Sequence, residues 1–199
     1  MIAILDFDMG NLRSIQKGFE RVGHEAVVTR DHTKIESAHK LIIPGVGAFR
    51  DGMKNIERYD LITPIQKALS AGKPILGICL GMQLLFSESE EFGQTQGLNI
   101  VPGKVKRFTV NRKIPHMGWN SIEIKRPAPI FQNSADGEYF YFVHSYYVEP
   151  EDPDCIAATT EYGIHFTSAI CQGALFATQF HPEKSQSSGL KILKAFAEL

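Results

Sequence analysis

The sequence predicts an α/β fold: a mostly parallel sheet with helices on both faces, plus added antiparallel strands in the second half. Three observations carry that expectation. Short, continuous apolar runs (Ile2-Ala3-Ile4-Leu5, Lys40-Leu41-Ile42-Ile43, Pro74-Ile75-Leu76) alternate with segments of helical spacing. Strands buried on both sides and separated by helices belong to a parallel sheet covered on both faces. Beyond about residue 98 the pattern changes to strand-like stretches divided by Gly, Pro, Asn and Asp clusters, which favour hairpins. A chain of 199 residues with no internal repeat and no long linker suits a single domain, 1–199.

The elements follow in order. Ile2–Leu5 reads as a buried strand ending at Asp6. Asn11 can cap a helix on which Leu12, Ile15, Phe19 and Val22 recur at helical spacing, with Gly23 to stop it. Ala26–Thr29 and Lys40–Ile43 are the next strands, and the second runs into the turn Pro44-Gly45-Val46-Gly47. Ile62–Leu69 is helical, with Pro64 in its first turn. Pro74–Leu76 is a strand that enters Gly77-Ile78-Cys79-Leu80-Gly81, and helix formers from Met82 to Phe86 follow. Segments 98–109, 116–124, 139–148, 156–161 and 165–179 are strand-like, and a helix from about Gly189 to Leu199 closes the chain. The first half is the alternation expected of a flavodoxin-like sheet.

Composition narrows the function. Lys plus Arg total 21 against 22 for Asp plus Glu, so no global basic charge favours nucleic acid. No apolar run is long enough to suggest a membrane span, and Asp6 interrupts the N-terminal apolar stretch, unlike a signal peptide. Cys79, Cys155 and Cys171 are odd in number, far apart and without a CxxC pair, which points to a reducing cytoplasm rather than a disulfide framework. Cys171 reads as a small core residue.

The chemistry centres on Cys79. A strand, a tight small-residue bend and a helix would lift its thiol to the C-terminal edge of the sheet, as in a nucleophile elbow. A thiol attacks as thiolate, and a helix N-terminus or an imidazole favours that form. The amide of Leu80 could donate to an oxyanion, with a second donor from the loop 44–47 at the same edge. Near the end of the chain His181 follows the strand Ala177–Phe180, with Glu183 two positions on. Alone, His181-Pro182-Glu183 is more often a surface turn; beside a cysteine elbow it becomes a base and an orienting carboxylate.

Gly77-Ile78-Cys79-Leu80-Gly81-Met82-Gln83, with Gln179-Phe180-His181-Pro182-Glu183-Lys184-Ser185, resembles the paired motifs of the triad (class I) glutamine amidotransferases. Asp8–Ser14, Pro44–Phe49, Pro115–Asn120 and His144–Val148 are similar to segments of the glutaminase subunits of imidazole glycerol phosphate synthases, and they span nearly the whole chain. The resemblance implies that Cys79 attacks the carboxamide of glutamine, that His181 serves as base and acid, and that Glu183 orients it. It implies Gly45, Gly47, Gln83, Ser145 and Tyr146 around bound glutamine, and Val46, Gly47 and Leu80 as oxyanion donors. It implies no cofactor, and ammonia transfer to a separate (β/α)8 cyclase subunit in a heterodimer of histidine biosynthesis.

The same resemblance offers Asn11 and Trp119 as interface residues. From the residues alone, Trp119 could equally be core, and Asn11 a helix cap or a support for the loop 44–47. His116 and His144 match no compact metal-ligand spacing, so no metal is expected. Two alternatives stand: a glutaminase for another pathway, which the segments Asp8–Ser14 and Pro115–Asn120 disfavour, and a non-catalytic subunit of the same fold, which would have lost Cys79 or His181.

Overall fold

The computed structural model describes all 199 residues, Met1–Leu199. In chain order the first half comprises β1 (Ile2–Leu5), α1 (Leu12–Arg21), β2 (Ala26–Thr29), α2 (His32–Ser37), β3 (Lys40–Ile43), α3 (Phe49–Arg58), α4 (Ile62–Ser70), β4 (Ile75–Ile78) and α5 (Leu80–Leu84). The second half comprises β5 (Phe86–Ser89), β6 (Thr95–Gln96), β7 (Val101–Arg107), β8 (His116–Ser121), β9 (Glu123–Ile124), β10 (Tyr139–His144), β11 (Tyr146–Pro150), β12 (Ile156–Glu161), β13 (His165–Gln172), β14 (Leu175–Thr178) and α6 (Gln186–Ala197).

The main sheet runs β2-β1-β3-β4-β14-β13-β11-β7-β5-β6, and β12 and β9 branch from β13. From β2 to β14 every neighbour is parallel. β13, β11 and β7 then continue antiparallel, as the hairpin-rich second half anticipates. β8 and β10 form a separate antiparallel ribbon. Alternation along the central strands feeds two cores. Ile2, Ile4, Leu76 and Ile78 pack with Phe19 of α1 and Phe196 of α6. Ala3, Leu5, Leu41 and Ile75 pack on the other face with Phe49, Ile56, Ile65 and Leu84. This is the buried-both-sides arrangement that apolar strands without polar alternation require.

Several elements depart from the sequence expectation. The helix after Cys79 ends at Leu84 instead of running through Phe86. Its carbonyls are claimed by an incoming segment: Leu98 N–H donates to Leu84 O, and Ile100 and Val101 N–H to Leu85 O. With those acceptors taken the helix cannot propagate, and Phe86 starts β5. Helix α3 begins directly after the loop 44–47, with Phe49, Met53 and Ile56 on its buried face. Asp31 caps α2 through the amides of Thr33 and Lys34 at 2.8 and 3.4 Å. Asn11 does occupy the cap position of α1, but its side chain makes no capping bond; its carbonyl takes the amides of Ser14 and Ile15 instead.

Register places the site. Thr178 lies opposite Ile78 and Ile43 opposite Gly77, so the loops after β3, β4 and β14 leave the same carboxyl edge side by side. Clefts at that edge are where open α/β sheets bind ligands.

Candidate active site

Cys79 sits at φ +54°, ψ −107°, a conformation that side-chain-bearing residues rarely adopt. Three hydrogen bonds impose it. The Cys79 amide donates to Thr178 O at 2.8 Å, while its carbonyl takes the amides of Met82 and Gln83 at 3.0 and 3.2 Å. Gly81 makes the bend possible, because a Cβ there would lie 1.8 Å from the Ile43 carbonyl oxygen. Helix α5 has five residues, too short for a large dipole, so the electrostatics at the sulfur come from side chains.

The side chain that supplies them is His181. The chain leaves β14, and the His181 amide donates to Tyr141 O at 2.9 Å. Ser185 Oγ donates to His181 O at 2.6 Å and accepts the Tyr141 amide at 2.9 Å, clipping this turn to β10. His181 Nδ1 lies 2.8 Å from Glu183 Oε1, and both side chains are buried. A proton on Nδ1 therefore faces the carboxylate, which leaves Nε2, buried without a hydrogen-bond partner, for Cys79. Burial alone would strip the ring of its charge; the Cys79 sulfur and the Glu183 carboxylate overrule it and hold the imidazole up at about 10. The imidazole and the sulfur are close enough to act on each other, without a formed hydrogen bond at Nε2.

Cys79 opens onto a cavity of about 870 Å³ lined by Val46, Gly47, Leu80, Gln83, Ser145 and Tyr146 among others. That volume suits a small polar metabolite. The Leu80 amide does not face the cavity freely: it points at Gly45 O, 3.4 Å away. Gly45 itself is buried beneath, where a Cβ would come within 2.7 Å of the Leu80 side chain.

A family model described as "Glutamine amidotransferase class-I" matches residues 3–198. The chain belongs to this family. Among similar class-I amidotransferases is the "Imidazole glycerol phosphate synthase subunit HisH" of Syntrophotalea carbinolica, 56% identical, with all of both chains covered. The protein of the same name from Geobacter sulfurreducens is 54% identical over all of this chain and 98% of the relative. Solved structures share the fold at lower identity. "Crystal structure of glutamine amidotransferase" aligns over 100% of this chain and 99% of that one, with TM-score 0.78 and 20% identity. PurLQS from Thermotoga maritima aligns over 99% and 97%, with TM-score 0.79 and 17% identity.

As a class-I amidotransferase the chain gathers most of the expected residues at one edge. Cys79, Val46, Gly47, Leu80, Gln83, Ser145 and Tyr146 share the cavity, with His181 and Glu183 behind the sulfur. Asn11 and Trp119 do not line the cavity. Trp119 is 46% exposed on β8 and packs edge-on against Tyr141, so it is not core. His116 and His144 are not drawn to His181 as a ligand set. They bond each other, Nδ1 to Nε2, at 2.9 Å. Burial presses His144 down to about 3 and, with Arg112 adding to it, His116 to about 4, so both are neutral.

Glu90, Glu91 and Arg107 also line the cavity, and no local pattern in the sequence marks them. Glu91 Oε2 accepts the Phe49 amide at 2.7 Å, and Glu90 Oε1 accepts the Arg107 amide at 2.6 Å. Neither tie is local, and two adjacent acids before an exposed Phe92-Gly93 turn look like any solvated loop. Gln179 stands in the second motif, yet nothing in its neighbours along the chain signals a role.

Proposed function

We propose that this chain, as one domain over residues 1–199, hydrolyses glutamine to glutamate and ammonia through a Cys79 thioester. The ammonia passes to a separate (β/α)8 cyclase subunit that makes imidazole glycerol phosphate in histidine biosynthesis. The relatives' names support the pathway. The observation that carries the chemistry is the buried, unpartnered Nε2 of His181, locked by Glu183 and turned toward a cysteine on a strained elbow.

The steps follow from those positions. The Cys79 thiolate attacks the side-chain carboxamide carbon, and the carbonyl oxygen becomes an oxyanion. His181 gives its proton to the departing nitrogen, the C–N bond breaks and ammonia leaves a γ-glutamyl thioester. Water then attacks with His181 taking its proton; the C–S bond breaks, returning thiolate and imidazolium and releasing glutamate. Glu183 holds the ring in one tautomer. For substrate, Glu91 keeps Oε1 available to the glutamine ammonium while Oε2 is tied to α3. Gln83, Ser145 and Tyr146 flank the side chain, and the Leu80 amide with Val46 or Gly47 would meet the oxyanion once the Gly45 carbonyl gives way.

Partner docking falls to the β8–β10 ribbon, which exposes Met117, Trp119 and Tyr139 together, with Asn11 as a further contact. A biosynthetic role of this kind places the enzyme in the cytoplasm. The decisive experiment is Cys79→Ala in the assembled synthase. Synthesis from glutamine should vanish while synthesis from added ammonium salt continues; loss of both would refute the nucleophile.

A further inference from the structure

Gln179 is fully buried between β14 and His181, and no step above uses it. Its Nε2 points at the Cys79 sulfur, 3.6 Å away, and its Oε1 lies 3.1 Å from Gln83 Nε2. An amide group fits a site of given shape either way round, so its direction must come from its partners. Here the direction is imposed from outside. Gln83 Nε2 also lies 3.1 Å from the Tyr146 carbonyl, which can only accept. Gln83 must therefore turn its NH₂ toward both neighbours, Gln179 must answer with oxygen, and the Gln179 NH₂ is left for sulfur.

The same carbonyl fixes a second run. His144 Nδ1 donates to Tyr146 O at 2.8 Å, so its Nε2 accepts from His116 Nδ1. His116 Nε2 in turn accepts from Asn120 Nδ2 at 3.2 Å. Both imidazoles are buried and satisfied, which keeps the Tyr146 carbonyl in place as the common acceptor.

We propose that Gln179 is a further catalytic residue, a fixed donor that holds the Cys79 sulfur in its anionic form. A thiol sulfur accepts a hydrogen bond weakly, and a thiolate strongly, so the bond favours the reactive state. The task differs from that of His181. The imidazole must surrender its proton to the leaving nitrogen, whereas an amide donates at every stage and cannot be deprotonated. When the thioester breaks, sulfur leaves as an anion against a donor that is already aimed.

This assignment rests on Cys79 being the nucleophile, and the test separates the two. Gln179→Glu keeps the shape and the acceptor for Gln83 but turns an oxygen toward sulfur. Gln179→Met removes both hydrogen bonds. A merely structural role makes Met the worse substitution; a donor role makes Glu the worse one. The readouts are the second-order rate of Cys79 alkylation by iodoacetamide at pH 7, followed by mass spectrometry, and kcat and KM for glutamine in the assembled synthase. We expect alkylation and kcat to fall about tenfold in Gln179→Met and further in Gln179→Glu, with KM within about twofold. Equal rates in all three proteins, a lower rate in Met than in Glu, or a loss confined to KM would overturn the assignment. If Gln179→Met does not fold, Gln179→Glu against wild type decides alone, and an unchanged alkylation rate overturns it. Failure of the underlying reading looks different: wild-type protein alkylated at Cys79 would keep its glutaminase activity.

Discussion

The backbone amide of Leu80 lies 3.4 Å from the carbonyl oxygen of Gly45, so the first donor an oxyanion would need is aimed at another acceptor. The loop that must supply the second donor is the one that occupies the first. On the proposed mechanism, a site in this state has the thiol and imidazole in place but lacks the charge stabilisation that one such donor provides, commonly a factor of about 10²–10³ in rate. We therefore expect slow glutamate release from the isolated chain, and a rise of roughly that size when the cyclase subunit and its nucleotide ligand are added. Steady-state glutamate assays measure both. Comparable turnover with and without the partner would dismiss the idea.

Glu183 meets His181 Nδ1 at 2.8 Å, and its carboxylate helps to keep the ring protonated up to about 10. Because that value is raised, the acid form is present at neutral pH and is lost only as pH climbs toward 10. In Glu183→Gln the carboxylate charge goes, and the amide can hold the wrong tautomer. The alkaline limb of the glutaminase pH profile should move to lower pH, and kcat should drop by about 10²–10⁴. A variant with an unmoved limb would argue against the orienting role.

Trp119 exposes 46% of its surface beside Met117 and Tyr139 on the β8–β10 ribbon. Trp119→Ala should leave the thermal midpoint of the isolated chain nearly unchanged while weakening the complex with the cyclase by about 10–30-fold, the effect of losing an aromatic hot spot. Calorimetric titration of the two subunits reads this directly. Wild-type affinity would move the docking surface elsewhere.

His116 and His144 are buried as a neutral pair, held down to about 4 and about 3 chiefly by burial. In the unfolded chain each takes its proton near pH 6.5. Below that pH the unfolded state binds more protons, so the pair's contribution is complete above 6.5 and is lost as pH falls toward the folded values. His181 has the opposite sign and contributes below 6.5, fading as pH rises toward about 10. His116→Phe leaves His144 Nε2 without its donor and should cost about 1–3 kcal/mol at pH 7.5. That deficit should narrow at pH 5, because one proton-resisting group is gone. Urea unfolding at the two pH values gives the answer, and a constant gap would contradict a neutral pair.

The parallel half of the sheet could be read from the sequence because its strands are uniformly apolar and its helices periodic. That Cys79, His181 and Glu183 come together could be read because an elbow and a strand-end histidine carry local signatures. What escaped reading depends on non-local bonds. Helix α5 stops where residues 98–101 take its carbonyls, and Glu91 enters the cavity because the amide of Phe49 anchors it. Gln179 sits in the most recognisable stretch of the chain, yet its direction is settled only by Gln83 and the Tyr146 carbonyl, far away in sequence. Trp119, equally compatible with core, proved exposed because its ribbon stands apart from the main sheet.

The Tyr146 carbonyl has a consequence for descent. A main-chain oxygen cannot be exchanged by mutation, so a substitution at position 146 that preserves the backbone path keeps the same acceptor at the same point. Reversing any amide or tautomer strung from it obliges its neighbours to reverse as well, and none can reverse at the oxygen itself. Single changes at Gln83, Gln179, His116 or His144 are therefore costly, while compensated changes in neighbouring pairs are the accessible route. Those positions should pass between generations as a set, their history written jointly rather than residue by residue.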